Sequence, residues 1–206
     1  IRNLGKAGVK CICYNFMPVF DWLRTNLHTE AEDGSNALSY NHEELMSLDP
    51  HNLHLPGWDE SYTSEELNSL LDAYSGMSHE QLFENLVYFL KDIMPACDET
   101  GINMAIHPDD PPWDMFGLPR IITGMESYNK LFTAVPNPHN GITLCTGSLG
   151  AGRNNDMVAM AKALAPRSYF VHLRQIRHEG KLDFCESGHL TAAGSLDMYG
   201  IVKALV

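Results

Sequence analysis

His107, Cys145 and His172 are the residues of this sequence whose types and spacing best suit chemistry. All three are ordinary ligands of transition metals, and they stand 38 and 27 residues apart. Each belongs to the end of a short apolar run. INMAI (102–106) precedes His107, ITLC (142–145) ends in Cys145, and SYFV (168–171) precedes His172. A lone histidine in such a place is more often a hydrogen-bonded packing residue, and a lone cysteine a small buried hydrophobe. Recurrence at equivalent positions of three consecutive units is what points to a shared ion. Three ligands with coordination positions left open suit catalysis better than a closed structural site.

Polar groups surround this trio in the sequence. Asp109 and Asp110, in HPDDPPW, are expected to orient the His107 imidazole from behind, although for Asp110 an Asp-Pro turn explains the residue equally well. TGSLGAG (146–152) has the small residues of an anion cradle but neither the Lys of a P-loop nor the spacing of a dinucleotide fingerprint, so a small anionic substrate is expected. Ser148 from that segment, Asn15 after the first strand, and Arg174 are the expected substrate-binding residues. Arg174 shares a strand face with His172 and suits a carboxylate. Arg153 reads as a solvated charge, and His42, His51, His54 and His79 as solvated histidines. Met157, Met160 and Leu164 lie at helical spacing and read as core; Cys11 and Cys13 share one face of a strand and are expected to pack. Trp22, Trp58 and Trp113 suit either a sugar pocket or core beneath loops.

The elements that must position these groups alternate. VKCICY (9–14), INMAI, ITLC and SYFVHL (168–173) read as strands. Between them, a helix runs from the N-cap Ser78 to Gly101, a short one covers Ser127–Ala134, and NDMVAMAKALA forms another, with TGSLGAGRN a glycine-rich turn. Strand and helix in alternation indicate parallel β-α units, and both a doubly wound sheet and a (β/α)8 barrel satisfy the pattern. In either, the active site lies at the carboxyl ends of the strands. A loop and helix insertion is expected at about 21–78, because that polar stretch is long for a connection. No second domain is expected.

The chain has 206 residues, 44% of them hydrophobic and 19% charged, which is enough to build a core. Its 14 Lys+Arg against 26 Asp+Glu leave a net charge of −12, which argues against nucleic acid or an anionic membrane as partner. Five cysteines without a C-x-x-C pair indicate neither a disulfide framework nor a zinc ribbon, and reduced thiols in the cytoplasm are expected. No run approaches the roughly 20 apolar residues of a membrane span. The chain opens and closes within helical patterns, as though cut from something longer.

Several segments resemble the D-mannonate dehydratase family: NFMPVFDWLRTNL (15–27), EDGSNAL (32–38), LPGW (55–58), AIHPDDPPWDMFGLPRIITG (105–124), NGITLCTGSLGAGRNNDMV (140–158) and FVHLRQIR (170–177). The resemblance runs in order over essentially the whole chain. It implies a single domain over 1–206, an incomplete (β/α)8 TIM barrel of the xylose-isomerase-like type. It implies a divalent metal, Mn2+ or Fe2+, on His107, Cys145 and His172. The activity implied is a hydro-lyase reaction, elimination of water from D-mannonate to 2-dehydro-3-deoxy-D-gluconate in hexuronate catabolism, and a homo-oligomer is expected. A further Asp ligand in an Arg-Pro-Asp-His-Gly motif, and the catalytic His and Tyr, would follow Val206; a stretch near Asp49–Leu55 looks shorter than in the family. A sugar isomerase or epimerase on the same barrel, or an inactive fragment, are the alternatives.

Overall fold

The computed structural model describes residues 1–31, 33–52 and 62–206; His54, LPGW with its Trp58, and most of the stretch after Asp49 lie outside the described residues. In chain order the elements are α1 (Arg2–Lys6), β1 (Cys11–Tyr14), β2 (Asn26–Glu30), β3 (Asn36–Tyr40), α2 (His42–Met46), α3 (Ser64–Tyr74) and α4 (His79–Thr100). There follow β4 (Asn103–Ile106), α5 (Met125–Ala134), β5 (Asn140–Cys145), α6 (Thr146–Ala151), α7 (Met157–Leu164), β6 (Ser168–His172), β7 (Ile176–His178), β8 (Phe184–Glu186) and α8 (Met198–Leu205).

Four strands form a parallel sheet in the order β1-β4-β5-β6. These are the four strands expected from the apolar runs. The sheet curls, so that β1 and β6 approach each other although two strands separate them. Every residue of β5 is buried, as a central parallel strand covered on both faces must be. The helix α4 feeds β4 and is closed at both ends by its own sequence. The Ser78 side chain accepts from Gln81 N while Gln81 reaches back to Ser78 N, and Gly101 ends the helix at φ 67°. Leu82, Leu86, Leu90, Met94 and Cys97 recur at helical spacing and are buried against the sheet. Met157, Met160 and Leu164 are core, as their spacing indicates.

A second sheet is antiparallel, in the order β2-β3-β8-β7. The expected loop and helix insertion is therefore in part a hairpin, β2–β3, that pairs with a strand from far along the chain through Ser39–Cys185 and Tyr40–Phe184. Its sequences, NLHTE and NALSY, carry few β-branched residues, so no strand signal stands out. The glycine-rich turn is also different from expectation. It is the short helix α6, buried throughout. Its glycines permit close packing: a Cβ on Gly147 would lie 2.0 Å from Arg174 Nε, and one on Gly150 would lie 2.7 Å from Leu196. Cys13 is exposed and not packed as expected, whereas Cys11 is half-buried. Among the described residues no helix is long and apolar enough to cross a membrane.

Candidate metal centre

The register of the parallel sheet converts sequence spacing into proximity. Cys145 and His172 are direct partners across β5 and β6. Tyr14 and Ile106 are partners across β1 and β4, and His107, one residue beyond, donates its backbone N–H to Tyr14 O at 2.8 Å. The three residues thus meet at the carboxyl edge, with one ligating atom from each lying within 4.8 Å of the others. The two imidazole centroids are 5.2 Å apart. Cys145 is buried, His107 half-buried and His172 exposed, so the group opens to one side.

Local bonding prepares each group. His107 Nδ1 lies 2.7 Å from Pro108 O. A carbonyl can only accept, so Nδ1 carries a proton and Nε2 is the nitrogen turned to the centre, where it donates to the thiolate or, once that proton leaves, would offer its lone pair to a metal. Burial alone pushes the Cys145 thiol up, but hydrogen bonds from His107 and His172 and the nearby Arg174 charge outweigh it, and the thiol sits at about 5. Burial likewise pushes His107 down, and Cys145 with Asp110 more than reverses it. A thiolate flanked by two imidazoles is a donor set that fits a divalent transition metal.

Neither aspartate reaches the His107 ring as expected; the Pro108 carbonyl takes that place. Asp109 Oδ2 instead accepts from Ile121 N and Ile122 N, both at 2.7 Å, which pins the returning loop. Burial raises its carboxyl to about 6 against the pull of Arg120. Asp110 is fully enclosed by partners. Arg24 donates to it twice, at 3.0 and 3.2 Å, Arg174 Nη2 lies 2.9 Å away, and Ser148 Oγ 3.0 Å away. Burial opposes its charge, but Arg174 and Arg24 hold its carboxyl well below the usual carboxylate range.

Ser148 is completely buried, its hydroxyl 3.1 Å from Cys145 Sγ, so it faces the ligand set and not a substrate as expected. Arg174 does lie at the rim. Its charge, however, is already matched by Asp110 and by Glu186 at 3.7 Å, so it is not the free carboxylate partner that strand alternation suggested. Asn15 is exposed and donates to Asp21 Oδ2 at 3.2 Å. A cleft of about 420 Å³ opens here, lined by Asn15, Trp22, His107, His172, Arg174 and Glu186, among others. Trp22 therefore belongs to the cleft, whereas Trp113 packs against Tyr40 and Phe184. Arg153, His51 and His79 are exposed, as expected, and His42 is half-buried beside the Tyr40 hydroxyl.

Two residues that surround the centre escape sequence reasoning. Arg24, 1% exposed, stands between β1 and β2 and joins Asp110 to Glu186, whose Oε1 is 3.2 Å away. Glu186 ends β8 in the antiparallel sheet. An arginine followed by apolar and polar neighbours carries no periodic signal of burial; only its partner, 86 residues away, explains it.

The family model described as D-mannonate dehydratase (UxuA) matches residues 1–206. The mannonate dehydratase of Oceanobacillus iheyensis is 49% identical over 207 residues, covering 100% of this chain and 59% of that protein. Mannonate dehydratase 1 of Bacillus licheniformis is 50% identical over 214 residues, covering 99% and 58%. The crystal structure of mannonate dehydratase from Streptococcus suis serotype 2 superposes with a TM-score of 0.89 at 42% identity, covering 99% of this chain and 56% of that one. The chain thus spans a little under three fifths of the length of these relatives.

Proposed function

The chain belongs to the D-mannonate dehydratase family, and on that footing we propose that its cleft serves the elimination of water from D-mannonate to give 2-dehydro-3-deoxy-D-gluconate. The observation that carries this reading is the convergence of His107, Cys145 and His172 at one strand edge, above an open cleft. In this reading the three hold one divalent ion, Mn2+ or Fe2+. Such an ion, when bound, supplies Lewis acidity that stabilises the negative charge developing beside the substrate carboxylate.

The chain's own residues make that possible in separable ways. Cys145 offers a thiolate without needing high pH, and His107 offers a nitrogen whose tautomer is fixed from behind. Arg24, Arg174, Asp110 and Glu186 cancel one another's charge, so among the described residues the rim carries no spare cation for the substrate carboxylate. Asn15, Arg174 and Glu186 remain as groups suited to the hydroxyls of a sugar acid. Removal of the C2 proton and departure of the C3 hydroxyl call for a general base and a general acid. The curled sheet is read as part of a (β/α)8 barrel of the xylose-isomerase-like type, a single domain to which the antiparallel sheet is an appendage. A homo-oligomeric, cytoplasmic enzyme of hexuronate catabolism completes the reading.

The test uses the protein in its full natural length. Incubated with D-mannonate and Mn2+ it is expected to yield a 2-keto-3-deoxy acid, one water lighter by mass spectrometry. Cys145→Ser is expected to lose bound metal and activity together. Metal content unchanged by elemental analysis in that variant would refute the ligand assignment; a metal-loaded protein that leaves mannonate intact would refute the substrate.

A further inference from the structure

We infer that Ser148 and Arg24 are positioning residues for the Cys145 sulfur, acting along one line of polar contacts, Glu186, Arg24, Asp110, Ser148 and Cys145, that runs from the antiparallel sheet to the ligand set. The inference rests on the metal reading above. Ser148 Oγ has one proton and two acceptors in reach, Asp110 Oδ2 at 3.0 Å and Cys145 Sγ at 3.1 Å. Which of them receives it depends on what else Asp110 has.

The Asp110 oxygen that faces the serine, Oδ2, already has two donors without it. Arg24 Nη1 occupies Oδ1, and Arg24 Nη2 and Arg174 Nη2 both occupy Oδ2. The serine–carboxylate separation is long for O–H···O, where about 2.7–2.8 Å is usual, whereas 3.1 Å to sulfur is a close approach for the larger atom. The hydroxyl proton is therefore directed at Cys145. A hydrogen bond to a thiolate lowers the energy of its lone pairs and fixes where they point, which is how outer partners orient and tune a metal ligand. Arg24 acts one step further back. It keeps Asp110 supplied with donors, so the serine need not turn to it. Arg24 also bonds Glu186 of β8, so the seating of the antiparallel sheet and the aim of the sulfur depend on the same guanidinium.

Cobalt(II) added to the metal-free protein supplies the test, because its thiolate charge-transfer band reports on the sulfur directly. Ser148→Ala is expected to weaken Co2+ binding by about 10- to 100-fold, the usual cost of losing an outer partner, and to move the band to longer wavelength. Ser148→Thr, which keeps the hydroxyl, is expected to restore the band position. Arg24→Lys, with one donor in place of a fork, is expected to shift the band in the same direction as Ser148→Ala. Near-ultraviolet circular dichroism identifies variants that have not folded, and the band energy is read only from those that have. A band and an affinity unchanged in folded Ser148→Ala would overturn the inference while leaving the metal site standing. No band at all in the parent protein would overturn the metal site and this inference together.

Discussion

At the scale of single residues, three side chains decide how the centre and its surroundings respond to pH and to substitution. The Cys145 thiol, held at about 5 where burial alone would raise it, is ionised in the folded chain across the neutral range. In the unfolded chain it returns to an ordinary value near 8.5. A depressed folded value means that the thiolate favours the fold fully above the unfolded pKa, and that this contribution disappears as pH falls through about 5. The difference in absorbance at 240 nm between metal-free parent and Cys145→Ser is expected to rise with a midpoint near pH 5. A midpoint near 8.5 would show that the two imidazoles and Arg174 do not act on the sulfur. Asp110 and Asp109 are neighbours with opposite sensitivities. Asp110→Asn leaves Arg24 and Arg174 buried without their counter-charge and is expected to cost about 3–5 kcal/mol in urea unfolding. Asp109 uses a single oxygen for both backbone bonds, which an amide oxygen reproduces, and loses only the one looser pairing with Arg120 at 3.7 Å, so Asp109→Asn is expected to cost less than Asp110→Asn, which unpairs two arginines.

At the scale of elements, α4 shows how local sequence and packing divide the work. Its N-terminal capping box satisfies backbone donors that solvent also reaches, so Ser78→Ala is expected to cost about 1 kcal/mol. Leu90, with no exposed surface, belongs to the core that also holds Met104, Ile106 and Ile142 of the parallel sheet, and Leu90→Ala is expected to cost about 2–5 kcal/mol. Chemical denaturation of the two variants checks the order. Equal losses would mean that the helix end, not its buried face, limits stability. In α6 the constraint is steric. Gly147 lies so close to Arg174 Nε that any side chain there displaces the guanidinium from Asp110.

At the scale of the whole molecule, two sheets of different character share one ionic seam. The parallel sheet has a fully buried central strand, whereas β2 alternates between exposed and half-buried residues at the edge of the antiparallel sheet. Amide hydrogen exchange is expected to be slowest in β5 and faster by orders of magnitude in β2, because backbone bonds under little apolar cover open locally. Arg24→Met is expected to raise exchange further in β3 and β8 while leaving β5 unchanged. Uniform exchange across both sheets would show that they open as one unit.

The sequence by itself determined the parallel half of the fold and the three residues of the centre. Apolar strand runs, the caps Ser78 and Gly101, and the recurrence of His107, Cys145 and His172 at strand ends are all local signals, set by burial and by backbone conformation within a few residues. Only the tertiary structure decided what surrounds the centre. That Asp110 serves Arg24 and Arg174 instead of an imidazole, that Ser148 turns to sulfur, and that a hairpin in 26–40 pairs with 184–186 are matters of partners up to 162 residues apart. Charge pairing and strand pairing across such separations leave no periodicity in a sequence, because each residue's environment is supplied by a segment it does not adjoin.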